Sequence, residues 1–288
     1  MIDLSQMPAP EAIETIDFAT IFAALKTNFL ARWAAAVAGD ESLPAMDTLL
    51  DSSPISMALR VAAWREVQLR ARFNDGVRQM LLAYATGSNL DHLGAYLGVT
   101  RLDGEADVRY RKRIQLRPEA LSLAGPAGAY VYHALTAVPA LIDATAIRSA
   151  DGEVTVTLLA SADAPQPTAA QIAAVRAALE DTAVAPLTDT LIVQGPEVID
   201  VDIDVDLTLY PGPDGAIVRT AVIKALSALQ ADNALLNQDL TLSAIYGRAH
   251  QTGVQSVRIA SPSADTAVSQ TGFVRIASIN VTIAGRDT

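Results

Sequence analysis

The chain has 288 residues, of which 51% are hydrophobic but only 5% aromatic, and its net charge at neutral pH is −11. This length allows one large domain or two to three smaller ones, while the absence of cysteine excludes disulfides, thiolate metal sites and cysteine nucleophiles. A strongly acidic chain is poorly suited to general nucleic-acid binding, because phosphate contacts depend on lysine and arginine. The sequence contains no run of about 18 uncharged apolar residues, so we do not expect a membrane-spanning helix.

The first predicted element is a long amphipathic helix near the N terminus. Apolar residues from Phe18 to Val37 recur mostly at steps of three and four, which is the spacing of one helix face. The pattern predicts a helix over residues 11–38 that ends at Gly39-Asp40.

A second and longer helix is predicted after a linker. Ser53 is a good N-cap residue, and Pro54 suits the first helical position, where its missing N–H costs nothing. Apolar steps of three and four predict that this helix runs to about Tyr84 and that the two helices pack as a hairpin. They cannot cover all their apolar surface alone, so either the downstream domains or other chains in a helical bundle cover the rest. The residues that we expect in such a core bundle are Phe22, Leu25, Phe29, Trp33, Leu69, Phe73 and Val77.

A short third helix is predicted between two glycines. Thr86-Gly87 is expected to end the second helix, since glycine takes the left-handed conformation that closes a helix. Ser88 is then expected to cap the next helix, with Asp91 as its acidic partner three residues later. Gly98 is expected to end that helix in turn.

The rest of the chain alternates helices with short strands, which predicts an α+β fold. Asp151-Gly152 is a two-residue turn that predicts a β-hairpin between the first two strands. Predicted helices cover residues 128–137, 169–181, 216–230 and 242–252, and predicted strands cover residues 145–149, 153–160, 191–193, 198–210, 255–260 and 273–284.

Three regions follow from this order of elements. Residues 1–118 form a helical region, residues 119–195 a first small α+β domain and residues 196–288 a second one. A helix, a strand, a loop and a strand occur both in residues 128–160 and in residues 242–284. This order indicates that the two α+β domains are distant structural repeats.

Four aspartates at alternate positions are the most prominent polar feature. In a strand, alternate residues share a face, so the carboxylates are expected on one side and the intervening apolar residues in the core. The spacing lacks the glycine and the final glutamate of a calcium-binding loop. A solvated strand face that discourages edge-to-edge aggregation and a docking surface for a basic partner both remain open. The four residues are Asp200, Asp202, Asp204 and Asp206.

One basic run lies in the helical region. Arg109 shares a helix face with Arg113, and Arg113 shares one with Arg117. Apart from Tyr110 the run lacks interleaved aromatic residues, so we interpret it as a solvated or subunit-facing helix rather than a nucleic-acid contact. The three histidines lack metal-binding spacing, and neither a nucleophile elbow nor a phosphate loop occurs. The sequence therefore predicts no catalytic residue, no cofactor and no metal.

Three segments in collinear order resemble a known family. They are YATGSNLDHLGAYLGVTR from Tyr84 to Arg101, ADVRYRKRIQLRPEALSLAGPAGAY from Ala106 to Tyr130, and PLTDTLIVQGPEVIDVDIDVDLTLYPGPD from Pro186 to Asp214. With His133-Ala134-Leu135 at the family's spacing, the chain resembles the baseplate J-like family, the wedge proteins of contractile phage tails. The loop from Ser261 to Gly272 departs from the family's proline- and glycine-rich hairpin loop.

The resemblance implies a structural role without enzymatic activity. The N-terminal helices would form the core bundle with another copy of the chain and with a smaller wedge protein similar to tail protein I. The C-terminal α+β domains would pair between neighbours and join six wedges into a ring around the central hub. Rearrangement of that ring would couple host contact to sheath contraction.

The family also implies further partners and a location. A lysozyme-like sheath-initiator protein and tail-fibre components would be neighbours in the baseplate. The chain would reside in the tail baseplate of the virion after assembly in the host cytoplasm.

Other functions stay open at this point. The sequence does not distinguish whether the particle is a phage, a headless tailocin or another contractile injection machine. A cell-wall hydrolase would need a pair of carboxylates in a cleft, which nothing in the sequence marks. A receptor- or glycan-binding tail module would favour aromatic platforms, but the sequence has only two tryptophans and both lie on predicted helices.

Overall fold

A computed structural model describes residues 4, 7, 8, 10–40, 42–122, 124–180, 190–212 and 214–287. These residues form eight helices and two three-stranded sheets, which confirms the α+β class. By their contacts they divide into an N-terminal unit of residues 2–96 and a C-terminal unit of residues 97–288. Among the described residues, no helix is both long and apolar enough to cross a membrane.

The N-terminal unit contains helices α1 (Phe18–Gly39), α2 (Pro54–Gln79) and α3 (Gly87–Tyr96). Helix α1 ends at Gly39 as predicted but begins at Phe18 rather than at residue 11. Asp17 has an extended backbone, and its carboxylate accepts the Thr20 N–H at 2.7 Å. This N-cap fixes the start of the helix, whatever the apolar spacing before it.

The start of α2 is as predicted and its end is not. Ser53 is the N-cap and Pro54 occupies the first turn, but the helix ends at Gln79 instead of near Tyr84. The side-chain oxygen of Gln79 accepts the Thr86 N–H at 2.9 Å and so ties the following turn to the helix end.

The turn before α3 also differs from the prediction. Gly87 has a positive φ of 52°, but it lies at the start of α3 and does not end α2. Ser88 is consequently inside α3 and is not its N-cap. Gly98, with a φ of 69°, follows the end of α3 as predicted.

Helices α1 and α2 contact each other within the N-terminal unit. Lys26 on α1 forms an ion pair with Asp51, which lies just before α2, at 3.2 Å. The Arg60 guanidinium lies 5.1 Å from the centre of the Phe22 ring, within the range of a cation–π contact. The hairpin of a core bundle, which includes other chains, stays a prediction.

The C-terminal unit begins with two helices and a first sheet. They are α4 (Asp107–Ala120), α5 (Ala127–Ala137), β1 (Asp143–Ala150), β2 (Glu153–Leu159), α6 (Ala169–Leu179) and β3 (Thr190–Gln194). Strand β2 lies in the centre, antiparallel to β1 and parallel to β3. The predicted hairpin is confirmed, with Gly152 at a φ of 73° in its turn. Residue 181, the predicted end of α6, lies outside the described residues.

A second sheet follows with its own two helices. The elements are β4 (Glu197–Leu209), α7 (Gly215–Asp232), α8 (Leu242–Ala249), β5 (Val254–Ser261) and β6 (Gly272–Arg286). Strand β4 is central, antiparallel to β5 and parallel to β6. Helix α8 ends at Ala249, three residues earlier than its predicted end at residue 252.

The core of this second sheet confirms the predicted alternation along β4. Every second residue of that strand is buried, and α7 supplies the facing side chains at helical spacing. The buried residues are Val201, Ile203, Val205, Leu207 and Leu209 on β4 and Val218, Val222, Leu226 and Leu229 on α7.

Strand pairing gives no support to the predicted repeat. Strands β1 and β2 pair with each other, whereas β5 and β6 lie on opposite sides of β4. The segment between Ser261 and Gly272 is therefore not a hairpin loop, and it crosses from one edge of the sheet to the other.

The two sheets are joined inside the C-terminal unit. The buried Asp143 carboxylate accepts the Leu236 N–H at 3.0 Å and also pairs with Lys112. Leu159, Leu236 and Phe273 form one buried apolar cluster between the two sheets. These contacts fix the sheets to each other, while the division at residues 118 and 195 stays a prediction.

Candidate interaction surfaces

Large exposed apolar side chains on and just after α2 lie in two runs on different sides of the helix, which together we call the α2 face. Met57, Val61 and Trp64 follow each other at helical spacing and are 58%, 67% and 56% exposed. Leu69 and Phe73 form a second run, at 57% and 60%. The α2 face consists of Met57, Val61, Trp64, Leu69, Phe73 and Met80.

The buried side of α2 has the opposite character. Its buried residues are the small or polar Ser56, Ala63 and Asn74. The Asn74 side chain accepts the Glu14 N–H at 3.1 Å and donates to the Glu14 carbonyl at 2.9 Å. A helix that packs only within a monomer normally turns its large apolar residues inward. Here they point to solvent, which is the pattern of a surface that another chain covers.

The four α1 residues predicted for a core bundle are half-buried in their own unit. The Phe22 ring stacks on Phe18 with the ring centres 5.9 Å apart, and the rings of Phe29 and Trp33 stack at 6.1 Å. The Trp33 indole N–H donates to the backbone oxygen of Pro44 at 2.9 Å. These side chains thus have contacts within their own chain.

The seven predicted bundle residues divide by helix. Phe22, Leu25, Phe29 and Trp33 are half-buried, Val77 is half-buried on α2, and Leu69 and Phe73 are exposed. The prediction omitted four residues of the α2 face. Their apolar spacing was visible in the sequence, but which side of α2 is buried depends on tertiary contacts such as Asn74 with Glu14. The omitted residues are Met57, Val61, Trp64 and Met80.

The four aspartates of β4 lie on the sheet face opposite the core, as predicted. Asp200 accepts two hydrogen bonds from Arg275 on β6, each at 2.7 Å. Asp206 accepts from Arg258 on β5 and from Thr282 on β6, and Asp202 accepts from Ser278. No cluster of three or more His, Cys, Asp and Glu side chains in the described part of the chain could hold a metal ion.

These contacts explain the charge state of the acidic face. The hydrogen bonds from Arg275 lower the pKa of Asp200. The hydrogen bonds from Thr282 and Arg258 lower the pKa of Asp206. The carboxylates thus link β4 to both neighbouring strands, and docking of a basic partner on this face stays untested.

The predicted solvated or subunit-facing basic helix is wrong for Arg109 and Arg113. The Arg113 side chain is 2% exposed, and its Nη1 donates to Glu105 at 2.7 Å and to the Thr100 carbonyl at 3.2 Å. Arg109 donates to Glu105 and to the carbonyl oxygen of Leu135, in the last turn of α5. Cations suit the C-terminal end of a helix, so α5 provides a site for this guanidinium.

A depression of about 390 Å³ lies between the start of α5 and the β1–β2 hairpin. The charged side chains in its lining are Arg148 and Glu153, and Tyr130 also lines it. Arg148 pairs with Asp151, and Glu153 accepts a hydrogen bond from Ser149 at 2.6 Å.

Comparison with known proteins gives a consistent result. The sequence profile of the baseplate J-like N-terminal domain matches residues 51–105, and that of the baseplate J-like central domain matches residues 122–195. The chain is 34% identical over 286 aligned residues to baseplate protein J of Escherichia phage P2, covering 94% of each sequence.

A solved structure is also similar over part of its length. It is the cryo-EM structure of the anti-feeding prophage baseplate, with a TM-score of 0.41 and 13% sequence identity. The similarity covers 61% of the chain described here and 42% of the other chain, so it spans less than half of that protein.

Proposed function

The chain belongs to the baseplate J-like family and is a component of a contractile-particle baseplate, and we propose that it is a structural wedge subunit. In this proposal, copies of the chain form an inner ring of wedges around the central hub. Rearrangement of the ring couples contact with the host to sheath contraction. The particle is a phage tail, or alternatively a headless tailocin or another injection machine.

The observation that carries the wedge role is the α2 face. A subunit that exposes a tryptophan, a phenylalanine, a leucine, a valine and a methionine on one helix needs neighbours to cover them. The fully buried residues of the same helix are Ser56, Ala63 and Asn74, which are small or polar, so packing in its own unit leaves the large exposed set uncovered. The α2 face therefore suits a bundle with another copy and with a smaller wedge protein.

The remaining parts of the proposal concern partners, location and chemistry. A lysozyme-like sheath initiator, the hub and fibre components complete the set of neighbours, and assembly takes place in the host cytoplasm. We propose no enzymatic activity. In support, the buried charged side chains that the structure describes, Glu105, Arg113 and Asp143, form ion pairs within the chain.

A double substitution tests the α2 face. Trp64→Ala with Phe73→Ala removes two exposed aromatic side chains and should leave the fold intact. Binding to the smaller wedge protein of the same particle should weaken by at least about 30-fold, since central aromatic residues commonly contribute about 2 kcal/mol or more each. Light scattering and titration calorimetry on the mixed proteins measure this.

The matched control changes two exposed apolar residues of the other unit. Val108→Ala with Leu121→Ala alters side chains of 76% and 64% exposure on and just after α4 and should leave the binding unchanged. Equal binding by the wild-type and the Trp64/Phe73 variant would refute the role of the α2 face.

A further inference from the structure

Strand β6 has a long open edge. It runs for 15 residues, and within the described part of the chain β4 is its only strand neighbour. Near the start of β6, the Ile276 N–H donates a hydrogen bond to the side-chain oxygen of Gln230 at 2.7 Å. Beyond that point, residues 277–285 are mostly exposed, and the described residues place no other strand beside them.

This edge lacks the usual protection against strand addition. Soluble proteins place proline, lysine or other charged residues on open edges, because unpaired N–H and C=O groups recruit further strands. Residues 277–285 read ASINVTIAG and contain no charge and no proline. The opposite edge is shorter, since β5 has eight residues and carries the exposed Arg258. The β6 edge is therefore the open side of the sheet that best accepts a strand.

The sequence of β6 is complementary to itself in the antiparallel direction. A two-fold axis through Val281 would place Ile279 opposite the second copy's Ile283, and Asn280 opposite Thr282. The same register would place Arg275 opposite Asp287, which is a pair of opposite charge. Like residues on the same face then meet, as cross-strand pairing favours.

The two irregularities of β6 fit this register. Relative to β4, extra residues occur between Ile276 and Ser278 and between Ile283 and Gly285. Around an axis through Val281 the two irregularities come to lie nearly opposite each other. The faces of the paired residues therefore stay matched on both sides of them.

Apolar surface next to the edge points to the same arrangement. Helix α7 packs on β6. Its first residue, Gly215, approaches Ile283 so closely that an added Cβ atom would lie 2.8 Å from the Ile283 side chain. In this corner Ile217 is 70% and Ile283 is 40% exposed. A second copy at the edge would bring a second α7 beside the first and cover this surface.

From these observations we infer that β6 pairs antiparallel with β6 of a second copy of this chain, about Val281. The two sheets then form one continuous six-stranded sheet with closed two-fold symmetry. The inference names the contact by which the C-terminal domains of neighbouring subunits pair, and for that setting it rests on the proposed function.

Disulfide trapping tests the register, because the chain contains no cysteine of its own. Two single variants, Ser278→Cys and Ala284→Cys, are mixed and oxidised. In the proposed register these positions are opposite each other, with Cα atoms about 4.5–5.5 Å apart, which suits a disulfide. A disulfide-linked dimer should form in the mixture.

Each variant alone provides the control. In a dimer of two copies of the same variant, the two cysteines would be six positions apart along the paired strands, or about 20 Å. No disulfide should then form. Dimers from either variant alone, or none from the mixture, would overturn the inference. A mixture of Asn280→Cys with Ala284→Cys tests the alternative register, in which the two-fold axis passes through Thr282. If this mixture forms more disulfide-linked dimer than the first mixture, the inference is wrong.

A second variant tests the pairing without cysteine. Asn280→Lys with Thr282→Lys would place lysines opposite lysines across the two-fold axis. Sedimentation velocity should therefore show a dimer for the wild type and a monomer for this variant. Circular dichroism checks that this variant is folded.

These experiments use the chain without any other wedge protein. The Trp64→Ala/Phe73→Ala background should give the same trapping as the wild-type background. Loss of trapping with intact wedge binding would contradict the β6 contact alone, and loss of wedge binding with intact trapping would contradict the α2 face alone.

Discussion

The Glu105 carboxylate is 1% exposed and holds two arginines of α4 in place. It pairs with Arg113 at 2.7 Å, pairs with Arg109 and accepts the Leu102 N–H at 3.0 Å. Both oxygens of this buried carboxylate therefore accept hydrogen bonds, which is what makes a buried charge tolerable. The arginines that the sequence presents as a basic surface are consequently part of the interior.

Removal of this carboxylate should be strongly destabilising. Glu105→Ala leaves the Arg113 guanidinium buried without its anion and should lower the free energy of unfolding by about 3–5 kcal/mol. Urea denaturation followed by circular dichroism measures the change.

The control is a glutamate in an exposed pair. Glu66 bonds Arg70 one helical turn away at 2.6 Å, and Glu66→Ala should cost only about 0.5 kcal/mol or less. Equal effects of the two substitutions would contradict a buried network at Glu105.

The acidic face predicts a pH dependence of stability. The pKa of Asp200 is lower in the folded chain than its ordinary value of about 3.9, so its bond to Arg275 stabilises the fold above that pH. The contribution is lost as the pH falls through the lowered pKa. Asp200→Asn should therefore be less stable than the wild type at pH 7, and the difference should vanish as the pH falls well below 4.

Asp204 is the matched control for this measurement. It lies on the same face of β4, and its side chain makes no hydrogen bond or ion pair that the described residues show. Asp204→Asn should show no comparable pH dependence in urea titrations at pH 7, 4 and 3. A difference for Asp200→Asn that is as large at pH 3 as at pH 7 would disprove the assignment.

At the scale of single elements, helix α6 depends on its first turn. Thr168 accepts the Gln171 N–H, and the Gln171 side chain accepts the Thr168 N–H at 2.8 Å, which completes a capping box. Thr168→Ala should lower the free energy of unfolding by about 1 kcal/mol, whereas Thr168→Ser should keep most of it. Thermal unfolding of the three proteins decides this, and an unchanged Thr168→Ala variant would contradict the role of the cap.

Local signals in the sequence predicted most of the elements. The Ser53 cap, the Asp151-Gly152 turn and the alternation along β4 each depend on neighbouring residues only, and all three are confirmed. The start of α1 was missed because apolar spacing was given more weight than the Asp17 cap, which was also visible. The end of α2 could not be predicted, since it depends on how Gln79 folds back to Thr86.

Long-range pairing could not be read from local pattern. Strands β5 and β6 follow each other in the chain, yet β4 separates them. The burial of Arg109 likewise depends on carbonyl oxygens of α5 and the loop after it, 26 to 32 residues away. Both misses concern contacts between segments that are far apart in sequence, where spacing carries no information.

The same limit applies to the candidate surface. Sequence spacing correctly selected Leu69 and Phe73 as surplus apolar residues on α2, but it could not decide which side of the helix faces inward. The contact of Asn74 with Glu14 decides that, and it leaves Trp64 on the outside. Residue type and spacing thus predicted surplus apolar residues on α2, and the fold shows which of them are exposed.

At the scale of the whole molecule, the chain combines a C-terminal unit that is tied together internally with an N-terminal unit that exposes an apolar helix face. The first follows from Asp143 and the shared apolar cluster, which connect the two sheets. The second follows from the α2 face. We propose that such a subunit joins its neighbours in the baseplate through its helices, while the contacts between its sheets stabilise its own fold.

The most direct measurement is a cryo-EM reconstruction of a baseplate that contains this chain, at a resolution that shows side chains. The account predicts that Trp64 and Phe73 are buried against helices of neighbouring chains. If both side chains are instead covered by their own chain, or remain in contact with solvent in the assembled baseplate, the account is wrong.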